Sequence, residues 1–177
     1  FASEHWDVVP DIMAISKALG NGFPIAAFIT HDAIAASYTR PGASTYGGNP
    51  VSATAALATI RFHREHRLAE RSALLGRRLL ERVRAIAERE PALARPRGLG
   101  LMIGADVVDR FGAPDPRRLD LLLDRLKDLG FLCGRTGTAR NVLTCMPPLT
   151  VEAVQIDALA DALRECFSLR EVSCARD

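Results

Sequence analysis

The chain has 177 residues, 48% of them hydrophobic and 25% charged, a balance that allows a soluble globular protein to bury a real core. Its formal charge of +2 is close to neutral and gives no electrostatic argument for nucleic acid, a membrane surface or acidic partners. Apolar stretches are too short for a membrane span, no basic-then-apolar leader opens the chain, and Cys133, Cys145, Cys166 and Cys174 show neither CxxC spacing nor a nearby histidine pattern, so a zinc site and a disulfide framework are not indicated and a reduced, cytoplasmic setting is expected.

The chain starts at Phe1 in mid-pattern, and FASEHWDVVPDI reads as the tail of a larger element. Asp11 to Ser16 (DIMAIS) is short and mostly apolar and runs straight into KALGNGFP, which predicts a buried strand ending in a loop. Ile25 to Thr30 (IAAFIT) predicts a second strand. A short helical pattern follows, with Asp32 as its expected cap. Residues 39–50 (TRPGASTYGGNP) form a loop dense in Gly, Pro, Ser and Thr. A long Ala-rich helix runs from Val51 to about Arg64. In the next helix Leu68, Leu75, Leu79, Val83 and Ile86 share one face, and Pro91 and Pro96 end it. Leu99 to Val108 predicts a strand, and Pro114 to Leu129 a helix closed by Gly130. Short strands are expected at Phe131 to Gly134 and Asn141 to Met146. Val151 to Phe167 is a last amphipathic helix, and 169–177 a polar, disordered tail.

Alternating strands and helices indicate α/β or α+β architecture. The character changes near residues 60–66, from glycine-rich loops and buried strands to a helix–strand–helix–strand–helix unit.

Lysine is scarce. Of the 23 basic residues only Lys17 and Lys127 are lysine. Lys127 lies on the polar side of a helical repeat and is expected at the surface. Lys17 stands at a strand end beside a loop holding Gly20 and Gly22. It can simply cap the strand and reach water. Alternatively it projects into a cleft, where partial burial disfavours the ammonium and makes the amine nucleophilic.

Pro10 to Ile25 (PDIMAISKALGNGFPI) resembles the lysine signature of class III aminotransferases, pyridoxal-phosphate enzymes of fold type I, with Ser16, Lys17, Leu19, Gly22 and Pro24 where the S-K-x-L-x-x-G-x-P pattern has them. Thr45 to Pro50 (TYGGNP) resembles the family's threonine loop before a long helix. Arg97 to Gly104 (RGLGLMIG) is similar to the R-G-x-G-L-x-x-G run opening its small domain. Asn141 to Thr150 (NVLTCMPPLT) is similar to its N-V-[LI]-R-x-x-P-P-L-T run.

The resemblance implies an α/β fold, the end of a type I large domain over 1–62 followed by an α+β small domain over 63–168. It implies pyridoxal 5'-phosphate as cofactor, Lys17 as its Schiff-base lysine and proton shuttle, and Thr45 as a phosphate ligand acting across a homodimer interface. A hydroxyl and free N–H groups near a helix N-terminus suit a phosphate. The substrates implied are an amine or amino acid donor and a keto acid acceptor. Thr144 departs from the family, because many members carry an arginine there that grips the substrate α-carboxylate as a fork. The substrate could lack that group or bind it elsewhere, and Arg135 and Arg140, which look like surface residues, are the nearby alternatives. Decarboxylase, racemase or mutase, and phospho-lyase chemistry in the same family stays open, as does a non-catalytic split half. The family's phosphate loop, ring-stacking aromatic and ring-nitrogen aspartate all fall upstream of Phe1, so the isolated chain is expected to be catalytically incomplete. Glu4, Asp7 and Asp106 lack an acid–base partner in the sequence, and His5, His31, His63 and His66 show no metal or nucleophile spacing.

Overall fold

The structure is a computed structural model that describes residues 1–40 and 42–168. It divides into two compact units, Phe1–His66 and the chain from Arg67 onward. The tail expected at 169–177 lies outside the described residues.

In the first unit a 3-10 turn (Ala2–Trp6) leads to β1 (Ile12–Ile15), a second 3-10 turn (Lys17–Gly20), β2 (Ala27–Thr30), the short α1 (Asp32–Ala35) and α2 (Pro50–Glu65). β1 and β2 pair antiparallel, from Ile12 opposite Thr30 to Ile15 opposite Ala27. The Thr30 hydroxyl extends the pairing by donating to the Asp11 carbonyl at 2.7 Å. Both strands were expected to be buried, and both are largely exposed, Phe28 at 67%. The two strands form a sheet of their own, and no buried side chain lies on either. Asp32 is the first residue of α1 rather than its cap. His31 holds the cap position, and the Asp32 carboxylate instead sits in the first turn. Asn49 caps α2, its Oδ1 accepting from Ser52 N at 2.9 Å, with Pro50 in the first turn.

The second unit runs α3 (Leu68–Ala87), β3 (Leu93–Leu99), β4 (Met102–Val107), α4 (Pro116–Asp128), β5 (Gly134–Thr136), β6 (Val142–Cys145) and α5 (Ala153–Ser168). Its sheet has the order β3-β4-β6-β5, antiparallel throughout. The apolar stripes of α3, α4 and α5 meet the inward residues of the sheet. Leu79, Leu119, Leu122, Leu126, Leu143, Leu163 and Phe167 are all but sealed from water. Arg78 ties α3 to α5 by a fork onto Asp157 (2.9 and 2.5 Å).

β3 was not expected before Leu99, because Pro91 and Pro96 read as the end of the preceding helix. Proline is tolerated here because β3 is an edge strand and its pairing shifts register between Ala94 and Arg97, where Arg95 has φ +49°. The strand expected over Leu99–Val108 is therefore a hairpin. Leu99 ends β3, Gly100 turns with φ +54°, and Met102 begins β4. β5 lies at Gly134–Thr136, later than the expected Phe131–Gly134. The hairpin turn packs directly on α3. A Cβ on Gly76 would lie 2.0 Å from the Gly100 carbonyl oxygen, and Ser72 Oγ accepts from Leu101 N at 3.0 Å.

Candidate functional site

Ser16 leaves β1 extended, and Lys17 begins the 3-10 turn with φ +53°, a strained conformation for a residue with a side chain. Backbone bonds from Leu19 to Ser16, Asn21 to Ala18 and Phe23 to Gly20 (3.1–3.2 Å) hold three tight turns in succession. Gly22 continues them at φ +110°, a value that favours glycine. The Lys17 side chain is exposed.

The second motif is built around Asn49. Its Oδ1 caps α2, and its Nδ2 donates back to the Tyr46 carbonyl at 2.9 Å, which closes the Tyr46–Asn49 turn. Asn49 N also donates to Tyr46 O at 3.2 Å, and Gly48 adopts φ +69°. Thr45 is exposed at the head of this turn. The turn thus presents a hydroxyl and glycine N–H groups beside the N-terminus of a 16-residue helix, a donor set that fits a phosphate. The two motifs meet, because α2 packs on the Lys17–Gly20 turn. Pro24 to Ala26, Ser44, Tyr46 to Asn49 and Ser52 line an open cleft of about 440 Å³ between the arms of the two motifs. Neither Lys17 nor Thr45 lines that cleft.

The third motif is structural. Arg95 Nε donates to Asp106 Oδ2 at 2.6 Å, Arg97 Nη2 lies 2.8 Å from Oδ1, and Arg97 Nη1 donates to the Arg95 carbonyl. Asp106, which lacked a partner in the sequence, is thus a buried carboxylate held by two arginines across the β3–β4 pair. Burial pushes its carboxyl up, but the Arg97 and Arg95 hydrogen bonds and charges outweigh this and hold it below the ordinary 3.8.

In the fourth motif Thr144 is buried on β6 and its Oγ1 lies 2.8 Å from Thr136 Oγ1 across β5–β6. Arg135 is opposite Leu143, so it points to the other face of the sheet from Thr144, and it is paired with Asp120 on α4. It cannot take over a carboxylate grip at Thr144. Arg140 is exposed in the turn, at φ +56°. Asn141 is buried and clamps Val107, its Nδ2 donating to Val107 O at 2.9 Å while its own carbonyl accepts from Val107 N at 2.7 Å. Sequence reading placed Asn141 at the head of the fourth motif but missed its clamp on Val107, which depends on cross-strand register. It also missed the cap role of Asn49, which the Asn-Pro step before an Ala-rich run does signal. No helix among the described residues is long and apolar enough to cross a membrane.

This succession of a strand-end lysine turn, a capped threonine loop, an arginine–glycine hairpin and a final Asn-Val strand is that of one family. The chain belongs to the class-III aminotransferases, whose family profile matches residues 1–167. It is 36% identical over 163 residues to a mitochondrial alanine–glyoxylate aminotransferase 2 homologue of Arabidopsis thaliana, covering 90% of this chain and 34% of that protein. Among solved structures it resembles a phospholyase from Arthrobacter in complex with phosphoethanolamine, with a TM-score of 0.91 and 29% identity, covering 95% of this chain and 41% of that one. It also resembles a PLP-bound amine transaminase from an uncultivated Pseudomonas species, with a TM-score of 0.85 and 28% identity, covering 95% and 40%. The fold is therefore that of type I pyridoxal-phosphate transaminases, mixed α/β, and the chain spans between a third and two fifths of the length of these relatives.

Proposed function

We propose that this chain contributes the cofactor lysine and a phosphate loop to a pyridoxal 5'-phosphate-dependent aminotransferase that moves an amino group from an amine or amino acid to a keto acid. One observation carries the reading. The helix that starts from the TYGGNP loop packs on the Lys17–Gly20 turn, so the family's two cofactor motifs share one compact unit. When bound, the cofactor supplies an electron sink for the bond-breaking step at the substrate's amino-bearing carbon. Lys17 would hold the cofactor through its Nζ, and the same amine is the group that would take and return the substrate's migrating proton. Thr45 Oγ1 and the N–H groups of the Tyr46–Asn49 turn would hold its phosphate, in a homodimer for the partner's site. We read 1–62 as the end of the large domain and 63–168 as the small domain, supported by the division of the units after His66. Three free thiols among the described residues suit a reduced compartment such as the cytoplasm.

A second reading, phospho-lyase chemistry, is favoured by Thr144. It stands where many members have the carboxylate-gripping arginine, Arg135 is engaged on the other face, and a substrate without an α-carboxylate needs no fork there.

The cofactor test uses the scarcity of lysine. Incubation with pyridoxal 5'-phosphate, borohydride reduction and peptide mapping should place the adduct on Lys17, with Lys127 unmodified and Lys17→Ala unlabelled. Equal labelling of both lysines would sink the assignment. In an assembled enzyme, product formation that depends on pyruvate or 2-oxoglutarate supports transfer, and phosphate release from an aminoalkyl phosphate without a keto acid supports the lyase reading.

A further inference from the structure

Three of the four cysteines converge inside the second unit. Cys145 ends β6 and is buried, Cys166 is buried on α5, and Cys133, half-buried, immediately precedes β5. The β5–β6 ladder pairs Gly134 with Thr144 and Arg135 with Leu143. Extending that register by one residue beyond β5 would set Cys133 opposite Cys145, on the face that carries Leu143. Their sulfurs are 4.0 Å apart. Directly opposed residues of an antiparallel pair have Cα atoms roughly 4.5–5.5 Å apart, inside the roughly 4.4–6.8 Å range that a disulfide spans. That range is compatible with bond formation by side-chain rotation.

Access is present too. Both cysteines line an open cleft of about 310 Å³, walled by Phe131, Met146, Pro148 and Ile156. The contact between the sulfurs also divides the labour. Their hydrogen bond draws the Cys133 thiol below its ordinary value, against its burial, and pushes Cys145 well above it, together with burial. The thiol that ionises more easily is thus the less buried of the two.

We propose that Cys133 and Cys145 form a modification site, a thiol pair that a small hydroperoxide entering this cleft converts reversibly to a disulfide on the β5–β6 hairpin. The Cys133 sulfur attacks the peroxide oxygen. An S–O bond forms, the O–O bond breaks, and the alcohol or water leaves, with the hydroperoxide reduced by two electrons. The Cys145 sulfur then attacks the Cys133 sulfur. The S–S bond forms, the S–O bond breaks, and the hydroxyl leaves as water with the Cys145 proton. In sum two thiols and one hydroperoxide give one disulfide, one alcohol and one water, and an external thiol reverses the link by exchange. The bond would staple the hairpin beside Thr144 and the Met146–Pro148 segment. None of this rests on amino transfer, and its test reads sulfur alone.

Cleavage after lysine and arginine puts each of the four cysteines on its own peptide, with Arg135 and Arg140 splitting the hairpin between Cys133 and Cys145. The folded chain is treated with hydrogen peroxide, denatured in alkylating agent and mapped without reduction. The expected result is one cross-linked pair joining the Cys133 and Cys145 peptides, free thiols falling from four to two, and recovery of all four with dithiothreitol. Cys133→Ser should abolish the link, and Cys166→Ala should keep it. Sulfinic acid on Cys133 with Cys145 still free would overturn the proposal, as would a link from Cys133 to Cys166 or Cys174. The map of the unsubstituted chain separates these outcomes even if a variant fails to fold.

Discussion

Replacing Gly76 by alanine sets two physical effects against each other, and the structure says which wins. On an exposed helix Gly→Ala stabilises by about 1 kcal/mol. Gly76 is buried in the middle of α3, and the added Cβ would meet Gly100 O at 2.0 Å, Gly100 C at 2.2 Å and Gly100 Cα at 2.7 Å. Those are backbone atoms of a tight turn and cannot rotate away. The helix and the β3–β4 hairpin must separate by roughly 1 Å or more, which opens the contact between α3 and the sheet. Overpacking costs about 1–3 kcal/mol, and an unyielding backbone contact belongs at the upper end. Subtracting the propensity gain leaves a net loss of about 2 kcal/mol. For a unit of this size that lowers Tm by roughly 8–16 °C, taking 4–8 °C per kcal/mol. The assay is far-UV circular dichroism during thermal unfolding, because the single tryptophan, Trp6, lies in the other unit and does not report on α3. A Tm equal to or above that of the unsubstituted chain would refute the close approach of α3 and the hairpin.

Asp106→Asn should cost about 1–2 kcal/mol, since it removes a charge-assisted network from a buried site while the arginines are partly solvated. The native carboxyl is held below 3.8, so its contribution is fully present above that pH and is lost as pH falls through the lower folded value. The stability difference between the two proteins, followed by urea unfolding, should therefore be flat from neutral pH down to about pH 4 and shrink below it. A difference that grows on acidification would contradict the assignment. Asn49→Ala should loosen the first turn of α2 by about 1 kcal/mol, seen as roughly fivefold faster amide exchange at Ser52. Amide exchange over the whole chain should also separate the units, with β4, α4 and α5 protected longest and β1–β2 exchanging early. Equal protection of β1 and β4 would show that burial does not govern the order.

How much was legible follows from the range of the forces involved. The α3, α4 and α5 helices were readable because each carries an apolar stripe at helical spacing, a local signal of the core it joins. Lys17 and Thr45 stood out through spacing and family order, and the Asn49 cap is written in an Asn-Pro step. β3 was not legible, because a proline argues against a strand unless the strand is known to be an edge with a bulge, and only the assembled sheet provides that. Asn141 and the Arg95–Arg97–Asp106 group depend on cross-strand register, which no single segment contains. The Cys133–Cys145 approach has the same cause: the spacing of twelve residues means nothing until β5 and β6 fold into a ladder.

The exposed β1–β2 ribbon has a colloidal consequence. Each strand is paired along one edge only, and the ribbon displays Ile12, Phe28 and Ile29 to water. It carries no charge, proline or bulge within the strands, the devices by which soluble proteins keep sheet edges from recruiting one another. Handled as a separate species, the chain is therefore bound to be concentration-sensitive at this ribbon, and a lysine placed at Phe28 or Ile29 is the smallest change that should raise its solubility limit without touching the turn that carries Lys17.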